Sequence, residues 1–233
     1  KGAPNPVVCF LPIVAGFVGA DTIGCILATR IYASQEIRAL VDIGTNGEVV
    51  MGNRDGLMVC SAPAGPALEG AQIRHGMRGA VGAIERVSID GDVHCVTIGN
   101  APAIGICGSG LVDAVAAMLS TGILKSSGLL KADGDGRLSA KINERFTKTE
   151  DNKEQFVLVW ADESGRDEDI VLTQQDIRQL QLAKGAIVSG VMMLQKVMDV
   201  PDEKLKEVNE KTQKERDEVV SEIFKIKSFM KKF

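Results

Sequence analysis

Aromatic residues, histidines and paired cysteines are scarce in this chain of 233 residues. Aromatic side chains make up only 4% of it, with one Trp and one Tyr, so stacking platforms for single-stranded nucleic acid are not expected. The two histidines and five cysteines include no C-x-x-C pair, and the sequence offers no zinc or iron motif. An odd number of scattered cysteines is typical of a reducing compartment, and we expect a cytoplasmic protein.

The chain also lacks a positive net charge and a long apolar run. Lys plus Arg number 27 against 31 for Asp plus Glu, and a net charge of -4 gives no bulk attraction to nucleic acid. The longest apolar stretch, residues 7–20, contains Pro12 and is too short to span a bilayer, so no membrane partner is expected. No secretion signal is recognised, and because the chain opens at Lys1 without Met, we expect a fragment of a longer protein or a processed form.

Glycine, by contrast, is abundant: 25 residues, many of them between segments with strand or helix patterns. The predicted strands are 7–14, 37–41, 48–51, 57–60, 83–89, 93–98 and 156–160. The predicted helices are 21–32, 67–77, 111–119 and a long helix that begins after Thr173. Leu111, Val115, Met118 and Leu119 are predicted to share one helical face. These segments predict an α/β fold with a mixed sheet and flanking helices.

The long C-terminal helix has the clearest pattern in the sequence. Thr173 and Asp176 have capping-box spacing, and an apolar stripe follows at Ile177, Leu180, Ile187, Val191, Leu194 and Met198. Residues 125–169 are polar and glycine-rich and are predicted to be an excursion from the core with one strand. From Pro201 onward Lys and Glu dominate. We therefore divide the chain into a main domain, 1–200, and a charged helical tail, 201–233.

The first candidate site is the hairpin in the sequence LVDIGTNGEVV. Asp42 ends a predicted strand, Gly44 and Gly47 allow close backbone approach, and Thr45 and Asn46 add polar groups, an arrangement suited to a phosphate. A carboxylate beside phosphates would repel them, so Asp42 is expected to act through Mg²⁺ or an ordered water. A plain hairpin with Asp and Asn as turn formers explains the spacing equally well.

The second candidate site is the glycine-rich corner GICGSG, residues 105–110. Gly108, Ser109 and Gly110 precede an amphipathic helix, whose free N–H groups and dipole attract an anion. Close packing of a helix on a strand accounts for the same glycines. For Glu69, a structural role at a helix start is slightly preferred to metal ligation, and Asp21 is predicted to be an N-cap.

Taken together, these segments resemble the C-terminal ATPase region of the reductive activators of corrinoid proteins. The matching motifs are, in order, GFVGADT, LVDIGTNGE, SAPAGPALEGAQIRHGM, GICGSGLVD and LTQQDIRQLQLAKGAI. The resemblance covers roughly residues 4–208. It implies a ribonuclease-H-like fold of the actin, sugar kinase and heat-shock chaperone type, with this chain as one half of a duplicated fold that clamps ATP in a cleft.

The resemblance also implies cofactors and partners. ATP with Mg²⁺ is expected at Asp42, at Gly44 to Gly47 and at Gly108 to Gly110, and the partner is expected to be a corrinoid protein of a methyltransferase system. A homodimer is one arrangement that it allows. The family's [2Fe-2S] domain, its DIGTTT-like hairpin and its AGAFGN-like adenosine segment do not occur in this sequence. ATPase activity and the iron-sulfur cluster are therefore expected of the full-length parent.

The leading hypothesis is a part of an ATP-dependent activator that returns corrinoid cobalt to Co(I). The first alternative is a non-catalytic module that docks a corrinoid protein or a partner subunit. The second is an activator of radical dehydratases that carries a cluster between subunits, to which the scattered cysteines give little support. The leading hypothesis requires the hairpin at 42–48 and the glycine corner at 105–110 to meet at one polyanion pocket.

Overall fold

The computed structural model of the protein describes residues 10–131 and 138–201. The chain divides into two compact units, Lys1–Val191 and Met192–Phe233. In its described residues, the first unit holds three separate three-stranded sheets. The described part of the second unit is the end of the long C-terminal helix and a turn, which the Val200 N–H closes by donating to the Gln195 carbonyl at 3.0 Å.

The described residues contain both helices and strands, as expected for the predicted mixed α/β class. The α-helices are α1 Ala20–Thr29, α2 Gly108–Ser120, α3 Ala140–Glu144 and α4 Gln174–Val197. The strands are β1 Arg38–Ile43, β2 Gly47–Asn53, β3 Gly56–Ala62, β4 Ala83–Asp90, β5 Asp92–Thr97, β6 Gly105–Ile106, β7 Phe146–Lys148, β8 Glu154–Val159 and β9 Ile170–Thr173. Short 3-10 turns occur at Ile31–Ala33, Pro66–Glu69 and Ile98–Asn100.

The first sheet is the predicted antiparallel meander, in the order β1-β2-β3. Its register places Asp42 opposite Glu48 and Glu48 opposite Ser61. Strand β1 is an edge strand, and Val41 and Ile43 on one of its faces are exposed. Alternation along the strand turns Asp42 to the opposite face from these two side chains.

The second sheet, in the order β5-β4-β6, positions the glycine corner. β4 and β5 form the predicted hairpin, whose tip residue Gly91 has a φ of 68° that favours glycine. β6 runs parallel to β4 and leads directly into α2. The start of α2 is therefore fixed by strand pairing.

The third sheet has the order β7-β8-β9. Strands β7 and β8 fall within residues 125–169, so this region holds two strands where one was predicted, and β9 follows it. The side chains of Phe156, Leu158, Ile170 and Leu172 in this sheet are buried in the same cluster as Leu111 and Met118 of α2. We call this cluster the main core. The Phe146 and Phe156 rings pack edge to face at 5.2 Å within the sheet.

The side chain of Arg145, the residue before β7, is buried. Arg145 forms an ion pair with Asp92 at 2.7 Å and donates to the carbonyl groups of Val157 and Leu158 at 3.2 Å. Its guanidinium lies 5.7 Å from the centre of the Trp160 ring. The Asp92 carboxylate and the two carbonyl groups together compensate the buried positive charge of Arg145.

The long helix α4 begins as predicted. Asp176 accepts hydrogen bonds from the N–H and the hydroxyl of Thr173, both at 2.8 Å, which is the predicted capping interaction. Asp176 also accepts the N–H of Arg74 at 3.0 Å and so joins the helix start to a distant loop. Within the described ranges, no helix is both long enough and apolar enough to cross a membrane.

Several local predictions are wrong in the structure. Asp21 is not an N-cap, because Gly19 is the N-cap residue of α1 and Asp21 lies in the first turn of the helix. Residues 10–14 form no strand, while 7–9 lie outside the described residues. Residues 67–77 form only the short turn Pro66–Glu69, because Gly70 has a φ of 81° and packs against Met77. Leu119 is 45% exposed and does not share the buried face of α2. The proposed tail, 201–233, lies outside the described residues except for Pro201.

Candidate functional site

The tip of the β1–β2 hairpin, residues 44–46, is a tight turn. The Gly44 N–H donates to the Asn46 carbonyl at 2.9 Å, so this N–H is already used within the turn. The Asp42 carboxylate, on the face opposite Ile43, accepts the Cys25 thiol of α1 at a sulfur–oxygen distance of 3.8 Å. Burial and the nearby Asp42 charge raise the pKa of Cys25.

The hairpin tip contacts the loop that follows β3. The Thr45 hydroxyl donates to the Glu69 carboxylate at 2.5 Å, and the Gly65 N–H donates to the Thr45 carbonyl at 3.0 Å. These two bonds hold the loop 63–69 against the tip. The sequence favoured a structural role for Glu69, and the structure shows a specific partner for it.

The glycine corner forms the first turn of α2. Cys107 is the N-cap residue, and no side chain caps this end of the helix. Its thiol donates to the Ile84 carbonyl at 3.2 Å and lies 3.3 Å from the Ser109 hydroxyl. Ser109 itself is exposed. The first N–H groups of α2 are therefore free of a side-chain cap, next to an exposed hydroxyl.

Several of the candidate glycines are required by packing. A Cβ added to Gly108 would lie 1.9 Å from the Leu68 carbonyl oxygen, and one added to Gly110 would lie 2.1 Å from the Ile84 carbonyl oxygen. A Cβ on Gly47 would lie 2.7 Å from a side-chain atom of Ile187 on α4. The absence of side chains at these positions lets α2 and α4 approach the neighbouring backbone and strand.

Two surface cavities adjoin the start of α2. The larger, with a volume of about 470 Å³, is lined by Ile43, Leu68, Gly79, Cys107, Gly108, Ser109, Val112 and Asp113. The smaller, of about 190 Å³, is lined by Leu68, Glu69, Met77, Arg78, Gly79 and Gly108. The two cavities share Leu68, Gly79 and Gly108 and so form one groove, which we call the α2 groove.

The α2 groove joins only some of the predicted site residues. Gly108 and Ser109 line it, together with Ile43 from the end of β1. Asp42, Gly44, Thr45, Asn46, Gly47 and Gly110 are not among the described residues that line it. Thr45 reaches the groove indirectly through its hydrogen bond to Glu69.

Sequence reasoning missed Arg78 and Asp113. Asp113 is the only charged residue in the segment GSGLVDAVAAMLS, four residues after Ser109, and this isolated charge on an apolar helix was a usable signal. Its carboxylate also accepts the Val87 N–H at 3.4 Å. Arg78 belongs to no recognisable pattern, because only folding brings it beside Gly108.

The chemistry of the α2 groove fits a phosphate-bearing ligand. Its donors are the Ser109 hydroxyl, the uncapped start of α2 and the Arg78 guanidinium. Its acceptors, Glu69 and Asp113, are carboxylates of the kind that hold a hydrated Mg²⁺ beside phosphates. Within residues 10–131 and 138–201, no three acidic, His or Cys side chains are grouped to hold a metal by themselves.

Comparisons with known proteins match most of this chain. The family described as the C-terminal domain of RACo, the ASKHA domain, matches residues 36–209. The corrinoid activation enzyme RamQ of Eubacterium limosum is 39% identical over 206 residues, which are 88% of this chain and 34% of that protein. The Co(II) methylated amine-specific corrinoid protein reductase of Methanosarcina barkeri is 28% identical over 137 residues, 49% of this chain and 25% of that protein.

A solved structure gives the same result for the fold. A reductive activator for corrinoid, iron-sulfur protein superposes with a TM-score of 0.72 at 45% identity. The match covers 83% of this chain and 30% of that chain. The chain thus spans about a third or less of the length of the relatives it matches. The fold is that of an ASKHA domain, which is actin-like.

Proposed function

This chain belongs to the family of the C-terminal ASKHA domain of RACo, and we propose that it is part of an ATP-dependent activator that reduces corrinoid-protein cobalt to Co(I). The observation that carries the proposal is the α2 groove, where the end of β1 and the start of α2 share one cavity. The relatives named as corrinoid activators support the partner, a corrinoid protein of a methyltransferase system.

In this proposal the nucleotide lies along the α2 groove. Gly108 presents its backbone, Ser109 donates its hydroxyl, and the hairpin tip with Gly44, Thr45 and Asn46 closes over the phosphates from the side of Glu69. Gly47 and Gly110 shape the site by allowing close packing. Asp42 orients water or the hydration shell of Mg²⁺. To do so, its carboxylate must give up the hydrogen bond from the Cys25 thiol and accept one from this water.

In the full-length parent, binding and hydrolysis of ATP would supply the free energy that reduction to Co(I) requires, and the iron-sulfur cluster proposed there would supply the electron. The residues of this chain convert binding into a change of shape, because the hairpin tip and the loop 63–69 are joined by only two hydrogen bonds. A ligand that prefers one arrangement of these segments shifts the population toward it and changes the surface offered to the corrinoid protein.

The remaining parts of the proposal concern the parent protein. We propose that this chain is one half of a duplicated fold, which the exposed apolar side chains of Val41 and Ile43 on one face of β1 support, since they suit a covering segment. The division into a domain at 1–200 and a tail at 201–233, the cytoplasmic location, the homodimer, and an iron-sulfur cluster in the parent are proposed on the family resemblance.

The test has two parts. Calorimetric titration of the 233-residue chain with Mg-ATP is expected to show micromolar binding. In the full-length parent, Asp42→Asn is expected to lower ATP turnover by about 100-fold, the usual contribution of a group that positions a proton acceptor or water. Asp55→Asn, at the exposed turn between β2 and β3, is the matched control and is expected to leave turnover unchanged. Unchanged turnover in Asp42→Asn removes Asp42 from the mechanism.

A second candidate function is a docking module that hydrolyses nothing. The orientation of Asp42 favours it, because its carboxylate faces Cys25 and does not line the α2 groove. The titration separates the two candidates: heat on adding Mg-ATP supports the activator, whereas binding of a corrinoid protein without any nucleotide binding supports the docking module.

A further inference from the structure

Arg78 is the positively charged side chain on the wall of the α2 groove. It lines the smaller cavity together with Glu69 and Gly108. Of the described residues that line either cavity, it is the one Lys or Arg, whereas Glu69 and Asp113 contribute two carboxylates. A polyphosphate entering this groove meets two negative charges, and among these lining residues Arg78 carries the one formal positive charge that opposes them.

The backbone on either side of Arg78 is anchored. The Met77 N–H donates to the Ile106 carbonyl at 2.9 Å, and Gly76 pairs with Ile106 in a parallel bridge. A Cβ on the following residue, Gly79, would be in contact with Ile98 at 3.7 Å. The base of the Arg78 side chain is thus held beside the strand that leads into α2, at a fixed place relative to Gly108.

The guanidinium itself has no counter-ion in the described part of the chain. The ion pairs found there involve Arg54, Lys141, Arg145, Lys153, Arg166 and His75, and none reaches Arg78. Glu69, which lines the same cavity, is engaged by the Thr45 hydroxyl. An exposed guanidinium whose donors have no partner among residues 10–131 and 138–201 matches the geometry of phosphate oxygens.

We propose that Arg78 binds the terminal phosphate groups of the nucleotide in the α2 groove. This inference rests on the proposed function and adds a residue that selects for a polyphosphate tail. Gly108 and Ser109 contact the same tail from the start of α2, while Ile43 and Val112 give the larger cavity an apolar wall for the rest of the ligand. Arg78 is a binding residue in this proposal, and no bond forms or breaks on it.

The experiment is calorimetric titration of the full 233-residue chain with Mg-ATP and, separately, with inorganic tripolyphosphate. Arg78→Gln is expected to weaken both by about 10- to 100-fold, the usual effect of losing a charge-assisted hydrogen-bond partner. Arg78→Lys keeps the charge but loses the forked geometry of the guanidinium. Its affinities for both ligands are expected to lie between those of the unmodified chain and of Arg78→Gln. Arg54→Gln, which removes an exposed charge at the β2–β3 turn, is the matched control and is expected to bind both ligands normally.

The outcomes separate the two proposals. If the unmodified chain binds Mg-ATP and Arg78→Gln binds it equally well, the Arg78 proposal is wrong and the proposed function stands. If the unmodified chain binds tripolyphosphate in an Arg78-dependent manner but no nucleotide, the anion site stands and the nucleotide function is wrong. If it binds neither ligand, both are wrong. Equal weakening by Arg54→Gln also overturns the specific role of Arg78, because it indicates a general charge effect.

Discussion

Single glycines decide how closely helices approach the backbone in this protein. Gly108 lets the first turn of α2 meet the Leu68 carbonyl, and both residues line the α2 groove. Gly185, within α4, has no atom within 4 Å of an added Cβ. The two glycines therefore offer a matched pair: one is required by its surroundings and the other only lowers helix propensity.

Gly108→Ala is expected to lower the free energy of unfolding by about 2–3 kcal/mol, because a Cβ 1.9 Å from a carbonyl oxygen forces the backbone apart. Gly185→Ala is expected to raise it by about 0.5–1 kcal/mol. Urea unfolding followed by circular dichroism measures both. A Gly108→Ala chain as stable as the unmodified one would show that the close approach to Leu68 is absent in solution.

The Cys95 thiol is predicted to resist alkylation. It packs against the main core and donates to the Leu158 carbonyl at 3.8 Å, and burial raises its pKa to about 12. At pH 8.5 only roughly a thousandth or less of such a thiol is the reactive thiolate. Iodoacetamide should therefore label Cys95 about 1,000-fold more slowly in the native chain than in urea.

Because the pKa of Cys95 is raised, its labelling rate should increase about tenfold per pH unit between pH 8 and pH 11 and level off only above its pKa. In the unfolded chain the rate should level off above about pH 9, the ordinary range of a thiol. Mass spectrometry of the Cys95 peptide at timed intervals measures both profiles. Equal rates in native and unfolded chains would contradict the burial of this thiol.

At the scale of elements, the start of α4 depends on one carboxylate. Asp176 is 2% exposed and accepts three hydrogen bonds, two from Thr173 and one from the Arg74 N–H. It thus completes the helix cap and also fixes the loop that leads to Met77 and the α2 groove.

Asp176→Ala is expected to lower the free energy of unfolding by about 2–4 kcal/mol, because it leaves buried donors unpaired. Thr173→Ala removes only the hydroxyl and is expected to cost about 1 kcal/mol. Urea unfolding of the two variants and the double variant gives the coupling between them. If the two single changes cost the same, the bond from Asp176 to Arg74 contributes nothing measurable.

The elements that the sequence predicted well are those with local signals. The meander follows from its turns, the hairpin β4–β5 from Asp-Gly-Asp, and α4 from its cap and apolar stripe. The segment 67–77 failed because its apolar spacing resembles a helix, while Gly70 at a φ of 81° breaks it and packs on Met77. Such a close approach between two loops cannot be derived from spacing alone.

For the whole molecule, the buried residues fall into more than one group. The main core joins side chains of β4, α2, β8 and β9, whereas Val49, Val50, Met51 and Ala62 of the meander are buried but do not belong to it. Elements with separate sets of buried contacts open at different free energies. We therefore expect the meander, which also carries the hairpin tip, to open at a lower free energy than the main core.

Native-state hydrogen exchange is expected to show this difference. Amides of β2 should open at a free energy lower than amides of α2 and β8 by about 2 kcal/mol or more. Mass spectrometry of peptides from 47–53, 108–120 and 154–159 gives the comparison in one experiment. Identical protection in all three peptides would mean that meander and main core unfold together.

The candidate site was only partly predictable, and the reason lies in the assembly of the whole fold. The sequence identified Gly108 and Ser109, which have a local helix-start signal, and they line the groove. It could not identify Arg78 or Ile43, because their proximity depends on the pairing of distant strands. Strand alternation also turns the Asp42 side chain toward Cys25, which a motif alone does not reveal.

The sole tryptophan of the chain, Trp160, follows β8 and lies beside the guanidinium of Arg145. The tryptophan fluorescence of this chain therefore comes from a single residue, and the field of the buried Arg145 guanidinium beside it shifts the emission wavelength. Corrinoids absorb strongly in the visible and near-ultraviolet range, so binding of the corrinoid protein proposed above as partner is expected to quench this emission if its corrinoid comes within energy-transfer distance of Trp160. The intrinsic fluorescence of Trp160 thus offers a test of that proposal without an added dye.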